Sequence, residues 1–166
     1  MEKREHNFST IEGTIEAIIF ECAQQGLSLH TQMAYVLATV EHETNGTFKP
    51  VVEAYWMSEV WRKENLKYYP YHGRGFVQLT WKRNYFNYSK ILNIDMIKNP
   101  DIALRPNVSL FILVHGFKNG IFTGKTLERY INKNKCDFIN ARRCINGRDK
   151  REHIASLAKK WLNLLT

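Results

Sequence analysis

The stretch Met33-Ala34-Tyr35-Val36-Leu37-Ala38-Thr39-Val40-Glu41-His42-Glu43-Thr44-Asn45-Gly46 decides how the chain is read. At about 100° per residue, Met33, Val36, Leu37 and Val40 share one face of a helix, and Glu43 falls at the edge of that face. A carboxylate so placed is expected to be partly buried. Loss of hydration disfavours the charged form and raises the pKa, which suits a general acid near neutral pH. His42 is expected to point the other way, toward solvent or a polar lobe. A second carboxylate, Glu53, follows across the loop Phe48-Lys49-Pro50-Val51-Val52-Glu53-Ala54-Tyr55-Trp56. Hydrolysis of a glycosidic bond needs such a pair: one carboxylic acid protonates the leaving oxygen, and one carboxylate activates water or attacks the sugar.

Working outward, 166 residues with 44% hydrophobic content make one ordinary domain, 1–166, long enough to bury a core without staples. No stretch approaches the ~20 consecutive apolar residues of a membrane span, and no apolar signal region follows the charged start. The expectation is a soluble protein that stays in the cytoplasm unless something else releases it, as a monomer without stable membrane insertion. Cys22, Cys136 and Cys144 are odd in number and form no Cys-x-x-Cys pattern, so neither a disulfide framework nor a zinc site is suggested. The formal charge of +8 is crowded near the end, in Arg142, Arg143, Arg148, Lys150, Arg151, Lys159 and Lys160. Such a surface seeks polyanions. Nucleic acid is one, yet no stacking or helix-turn-helix signature accompanies the charge. A cell wall with its carboxylates and phosphates is the other.

The periodicity predicts a first helix over Ile11 to Gly26, with Ile15, Ile18, Ile19 and Cys22 on one side and Gly26 as its stop. The helix carrying Glu43 comes next. A short helical pattern between Met57 and Leu66 groups Met57, Val60, Trp61 and Glu64 and leaves Glu59 to solvent. Phe76 to Leu79 is a strand candidate, with Thr80 a candidate N-cap for the helix after it. Val108 to Phe117 is apolar on most sides and predicts a central helix. Helical segments are also expected at Leu127, Tyr130 and Ile131, at Phe138, Ala141, Arg142 and Ile145, and from a capping box of Asp149 and Glu152 through Ile154, Leu157, Ala158, Trp161 and Leu165.

A second block, Tyr68-Tyr69-Pro70-Tyr71-His72-Gly73-Arg74-Gly75-Phe76-Val77-Gln78-Leu79-Thr80-Trp81 followed by Asn84-Tyr85, adds to the carboxylates. Taken with them, it resembles the lysozyme-like domain of glycoside hydrolase family 19. That family's chitinases and phage endolysins carry His-Glu-Thr-Gly, then Val-Val-Glu or similar, then Tyr-Gly-Arg-Gly-x-x-Gln-Leu-Ser/Thr, with Asn-Tyr shortly after. The resemblance implies a mainly α fold: a two-lobed, lysozyme-like helical domain with a small β-sheet at the active-site cleft. It implies Glu43 as acid, Glu53 as base and Thr80 as the hydroxyl that holds the nucleophilic water. Gln78, Asn84 and Asn146 match amides that grip sugar hydroxyls and N-acetyl groups. No cofactor or metal is implied.

The residues themselves leave other options beside these. Glu64 is a rival base on its apolar face. Gly73 and Gly75 permit close backbone approach, while Arg74 is of a kind to pair with a catalytic-site carboxylate and orient it. Tyr68, Tyr69, Tyr71, Trp56 and Trp81 offer faces for sugar rings, part of them expected in the core instead. The chain departs from the family at Asn45, where the usual motif has the first Gly of Gly-Gly, and it lacks the disulfides and extra loops of plant chitinases. With the basic surface, this favours the compact endolysin branch. The expected activity is hydrolysis of β-1,4 bonds in bacterial peptidoglycan, with no nucleic acid partner. A chitinase or lytic transglycosylase is the enzymatic alternative, and a wall-binding or nucleic-acid-binding module the non-enzymatic one.

Overall fold

The computed structural model describes residues 4–166. Its first helix, α1 (Ile11–Gln24), starts where the Thr10 hydroxyl accepts the Gly13 N–H at 3.0 Å, and it stops before Gly26, whose φ of 86° no further helical turn permits. The next, α2 (His30–Glu43), is buried from Gln32 to Val40, on more sides than the expected stripe. The cause is packing. The final helix α6 (Arg151–Leu165) lies along it, while α1 and α5 (Pro106–Asn119) cover other faces. Two polar side chains of α2 are buried with it: the Gln32 amide donates to the Ile131 carbonyl at 3.0 Å and accepts the Leu29 N–H at 3.2 Å, and the Thr39 hydroxyl donates to the Tyr35 carbonyl at 3.0 Å, so each is partnered. Helix α5 meets expectation: Pro106 opens it, Gly120 at φ 68° closes it, and Val108, Leu110, Ile112, Leu113, Val114 and Phe117 are buried.

Around this helical core sit small elements that shape one surface. Strand β1 (Val51–Val52) pairs antiparallel with β2 (Arg74–Gly75), and between them lies α3 (Glu59–Asn65). Helix α4 (Lys82–Leu92) follows, burying Asn84, Tyr85 and Tyr88. A second hairpin joins β3 (Ile131–Asn132) to β4 (Lys135–Cys136). The described chain is therefore mainly helical with two minimal sheets. Among the described residues no helix is long and apolar enough to cross a membrane.

Five local expectations are corrected. Phe76 to Gln78 form a turn rather than a strand, because Gly75 at φ 94° and Gln78 at φ 58° fold the chain back until Leu79 bridges Arg74. Thr80 does not cap α4. Trp81 holds the cap position at φ 80°, and the Thr80 hydroxyl donates instead to the Gln78 carbonyl at 2.8 Å. The segment at Leu127 is a 3-10 turn ending in the second hairpin, whose reversal is made by the Asn132 side chain accepting the Asn134 N–H at 2.9 Å. The segment at Ala141 is likewise 3-10, over Asn140–Cys144. Asp149 and Glu152 make no capping box: Lys150, at φ 61°, is the cap residue, and the Asp149 carbonyl is taken by the Arg142 Nε at 2.9 Å. Asn45, which stands where the family motif has glycine, itself adopts φ 50°, a left-handed conformation that Asn tolerates.

Candidate active site

The last turn of α2 delivers Glu43 to a cleft of about 410 Å³. Its other walls come from the turn between β2 and α4, from Phe122, and from the segment 142–149. Phe122 reaches the wall because Gly116 of α5 leaves room for its ring; a Cβ there would come within 1.9 Å of it. The Glu43 carboxylate accepts from the Arg142 guanidinium at 3.3 Å, with side-chain exposures of 17% for the Glu and 4% for the Arg. Burial raises the Glu43 pKa above its ordinary value, against the opposing pull of Arg142; Asp149 pushes in the same direction as burial. The expectation of a partly buried carboxyl with a raised pKa is met.

Facing Glu43 are polar groups from one short run. Thr80 and Asn84 line the cleft, and the Asn84 amide donates to the Thr80 backbone carbonyl at 3.0 Å, which fixes the Asn84 side chain against the Thr80 main chain. That bond uses the amide nitrogen. The Asn84 Oδ1 is left buried without a partner among the described residues, an acceptor that a bound ligand can supply with a donor. Gln78 also lines the cleft, with its amide donating to the Val51 carbonyl at 2.9 Å, so that β1 holds it. Asn146 completes the amides from the opposite wall.

Glu53 stands just beyond β1 and does not line the cleft. Its backbone N–H donates to the Gly73 carbonyl and its carboxylate accepts the Gly73 N–H, both at 2.8 Å. Gly73 in turn lies against Gln78, since a Cβ on it would meet the Gln78 amide oxygen at 2.6 Å. Glu53 is thus half-buried, held through one peptide unit to the Gln78 side of the cleft.

Other expected residues are placed elsewhere. Arg74 is buried and does not reach the cleft: it pairs with Asp101 at 2.9 Å and donates to the Pro70 carbonyl and the Tyr85 hydroxyl, which pins the loop that carries Gln78 and Thr80. The arginine that meets a cleft carboxylate is Arg142. Tyr71 packs on Tyr85 and donates its hydroxyl to the Ile97 carbonyl, so it presents no free face to the cleft. Trp56 is exposed outside the cleft with its ring edge-on to Tyr55, whereas Trp81 lines the cleft and stacks on Tyr68 at 4.3 Å. Glu64 is exposed on α3, a helix with no buried residue, and the apolar face expected for it does not form. Glu59 is the engaged acid there, bonded to Arg62 and to the Tyr69 hydroxyl.

Three solved structures share this arrangement of elements. The structure of chitinase C from Streptomyces griseus superposes with a TM-score of 0.63 at 18% identity, over 98% of this chain and 79% of that one. A chitinase C mutant gives 0.65 at 20% identity, covering 95% and 72%. A bacterial family 19 chitinase gives 0.63 at 21%, covering 96% and 88%. The chain has the family 19 chitinase fold. No protein-family model and no curated protein sequence matches it.

Within the family 19 fold, the residues matched by motif meet as a group: Glu43, Gln78, Thr80, Asn84 and Asn146 share one cleft, with Glu53 behind Gln78. Three cleft residues stand outside the site that the motifs outline: Phe122, Arg142 and Asp149. Arg142 carries a signal, a charged residue at helical spacing on an otherwise apolar stripe, which calls for a buried partner. His42 does not point away as expected. It lines the cleft, edge-on to His153 at 5.5 Å, and burial together with Arg142 and His153 pushes its pKa down.

His72 adds a test of this region. It is 1% exposed, stacked on Tyr69, with both ring nitrogens unpartnered among the described residues, and burial followed by Arg74 lowers its pKa from 6.5. A lowered folded-state pKa contributes stability that is present above the unfolded value and lost as pH falls through the folded one. The melting temperature is therefore expected to drop as pH falls below 6.5, and His72→Phe to flatten that slope. An unchanged slope in the variant assigns the pH dependence to other groups.

Proposed function

We propose that the chain is a glycoside hydrolase that cuts β-1,4 bonds of bacterial peptidoglycan, in the manner of a lysozyme-type endolysin released from the host cytoplasm. The observation that carries this is a mostly buried carboxyl with a raised pKa, Glu43, sharing a cleft walled by amides with Thr80 and Asn84. Glu43 protonates the leaving oxygen as the bond breaks. Arg142 keeps the carboxylate that remains from being an isolated buried charge. The base's role falls to Glu53 by its motif, although it stands behind Gln78 outside the cleft lining and must reach the water from there. The Thr80 hydroxyl holds that water, its hydrogen committed to the Gln78 carbonyl and its oxygen lone pairs left to accept from the water. Gln78, Asn84 and Asn146 position sugar hydroxyls and N-acetyl groups, and Trp81 offers a ring face.

Peptidoglycan is favoured over other glycans by the +8 charge, since wall polymers carry carboxylates and phosphates. Chitin is the second reading, favoured by the three solved structures that share the fold, all chitinases. Both are cut by the same chemistry. A base that activates water, rather than attacking the sugar, inverts the anomeric centre and needs the two carboxyl groups roughly 6.5–9.5 Å apart in the bound complex.

Anomer-resolved NMR of the first products tests the mechanism. Inversion is expected, with Glu53→Gln costing far more activity than Glu64→Gln, and with Thr80→Val slowing the reaction while the fold persists. Retained configuration, or a dead Glu64 variant beside a live Glu53 variant, contradicts it.

A further inference from the structure

Next to the cleft, a second cavity of about 620 Å³ opens off the same wall, sharing Trp81, Phe122, Ile145 and Asn146 with it. Its remaining surface is basic. Lys125, Arg143 and Arg148 line it, no Asp or Glu does, and none of the three cations forms an ion pair among the described residues. The cavity is also a formed feature: the Thr123 hydroxyl donates to the Arg143 carbonyl at 2.6 Å, tying the loop that carries Lys125 to the 3-10 segment that carries Arg143. Three cations held without counterions around one hollow repel one another. An anion placed among them relieves that repulsion and accepts charge-assisted hydrogen bonds, the two guanidinium groups being suited to planar carboxylates.

We propose that this cavity is a subsite for carboxylates carried on the glycan, namely those of the short peptide attached to alternate sugars of peptidoglycan. It rests on the assignment of the cleft to glycan cleavage and says which glycan. A sugar chain lying in the cleft passes Trp81, Phe122 and Asn146, which are residues the two hollows share, so a substituent on a sugar beside Asn146 enters the basic cavity. An unsubstituted chitin chain brings no anion there. The basic residues thereby act as specificity determinants, while the amides and carboxylates of the cleft serve any β-1,4-linked N-acetylated chain.

Binding separates this from the assignment of the reaction. The probes are soluble peptide-bearing glycan fragments and the same fragments with their carboxylates converted to methylamides, titrated calorimetrically into the full chain carrying Glu43→Gln. The carboxylate form is expected to bind about tenfold more tightly, the sum of three exposed ion pairs, with the advantage shrinking as salt is added. Lys125→Gln, Arg143→Gln and Arg148→Gln introduced together should remove the advantage, leaving both probes bound as the amidated one was. Arg148→Gln alone, at an exposed position, should remove part of it without any burden on folding. Equal binding of the two probes overturns the subsite, as does a triple variant, folded by its melting transition, that still discriminates. Displacement by poly(glycerol phosphate) without preference for the carboxylate probe also overturns it, in favour of a phosphate site. Should the carboxylate preference hold while the unsubstituted chain cleaves no glycan, the subsite stands and the assignment of the reaction falls.

Discussion

Glu43→Gln is expected to lower the rate of glycan cleavage by about a hundred- to ten-thousandfold, the worth of general acid assistance, while the folded structure persists. The amide keeps the shape of the carboxylic acid and accepts the Arg142 bond through its oxygen, but it has no proton to give at the scissile oxygen. Because burial is the largest cause of the raised Glu43 pKa, the wild-type rate should fall as pH rises through that value and the acid ionises. Circular dichroism and a melting curve establish that the variant is folded. A folded variant that clears wall substrate at near wild-type rate removes Glu43 from the role of acid.

Arg142→Met should have the second-largest effect, and on stability as well as rate. Breaking a buried ion pair by removing one partner costs about 3–5 kcal/mol; the cost here should lie at or below that range, because the Glu43 side chain keeps 17% of its exposure. The bond to the Asp149 carbonyl goes too, loosening the wall that carries Asn146. Without the guanidinium the Glu43 pKa rises further, since Arg142 is what lowers it. A raised folded-state pKa contributes stability that is present below the unfolded value and lost as pH rises through the folded one. The variant's deficit should therefore be largest at neutral pH and shrink toward acid pH, with the alkaline limb of the pH–rate profile moved upward. Arg142→Lys keeps the charge but not the planar fork, and it should recover the limb's position better than the stability. A Met variant with an unmoved limb would show that Arg142 does not act on the Glu43 proton.

Most of the helical frame was legible because it is written in apolar spacing. The α1, α2, α5 and α6 segments all show it, and the burial of Met33, Val36, Leu37 and Val40 follows from the stripe that ends in Glu43. Local backbone geometry was illegible. Gln78, Trp81 and Ala54 take positive φ without being glycine, at φ 58°, 80° and 53°, and these positions flank Thr80 and Glu53. Their conformations are imposed by tertiary bonds such as Arg74 to Tyr85 and Gln78 to Val51, which no local preference announces. The same cause misplaced Arg74: a short Gly-Arg-Gly run says that backbone comes close, not what the arginine meets. Glu64 was misplaced for a different reason, because α3 shows an apolar pattern but has no neighbour to bury it against. Arg142 lies 99 residues from Glu43 in sequence, beyond the reach of any periodicity.

Digestion of purified peptidoglycan and of colloidal chitin in parallel, with mass spectrometry of the released ends, tests the central assignment most directly. Expected are new reducing ends heavier by the mass of one water, released faster from peptidoglycan than from chitin and absent with Glu43→Gln. Anhydro ends, chitin turnover equal to or above peptidoglycan turnover, or the same products from the Glu43 variant would contradict it.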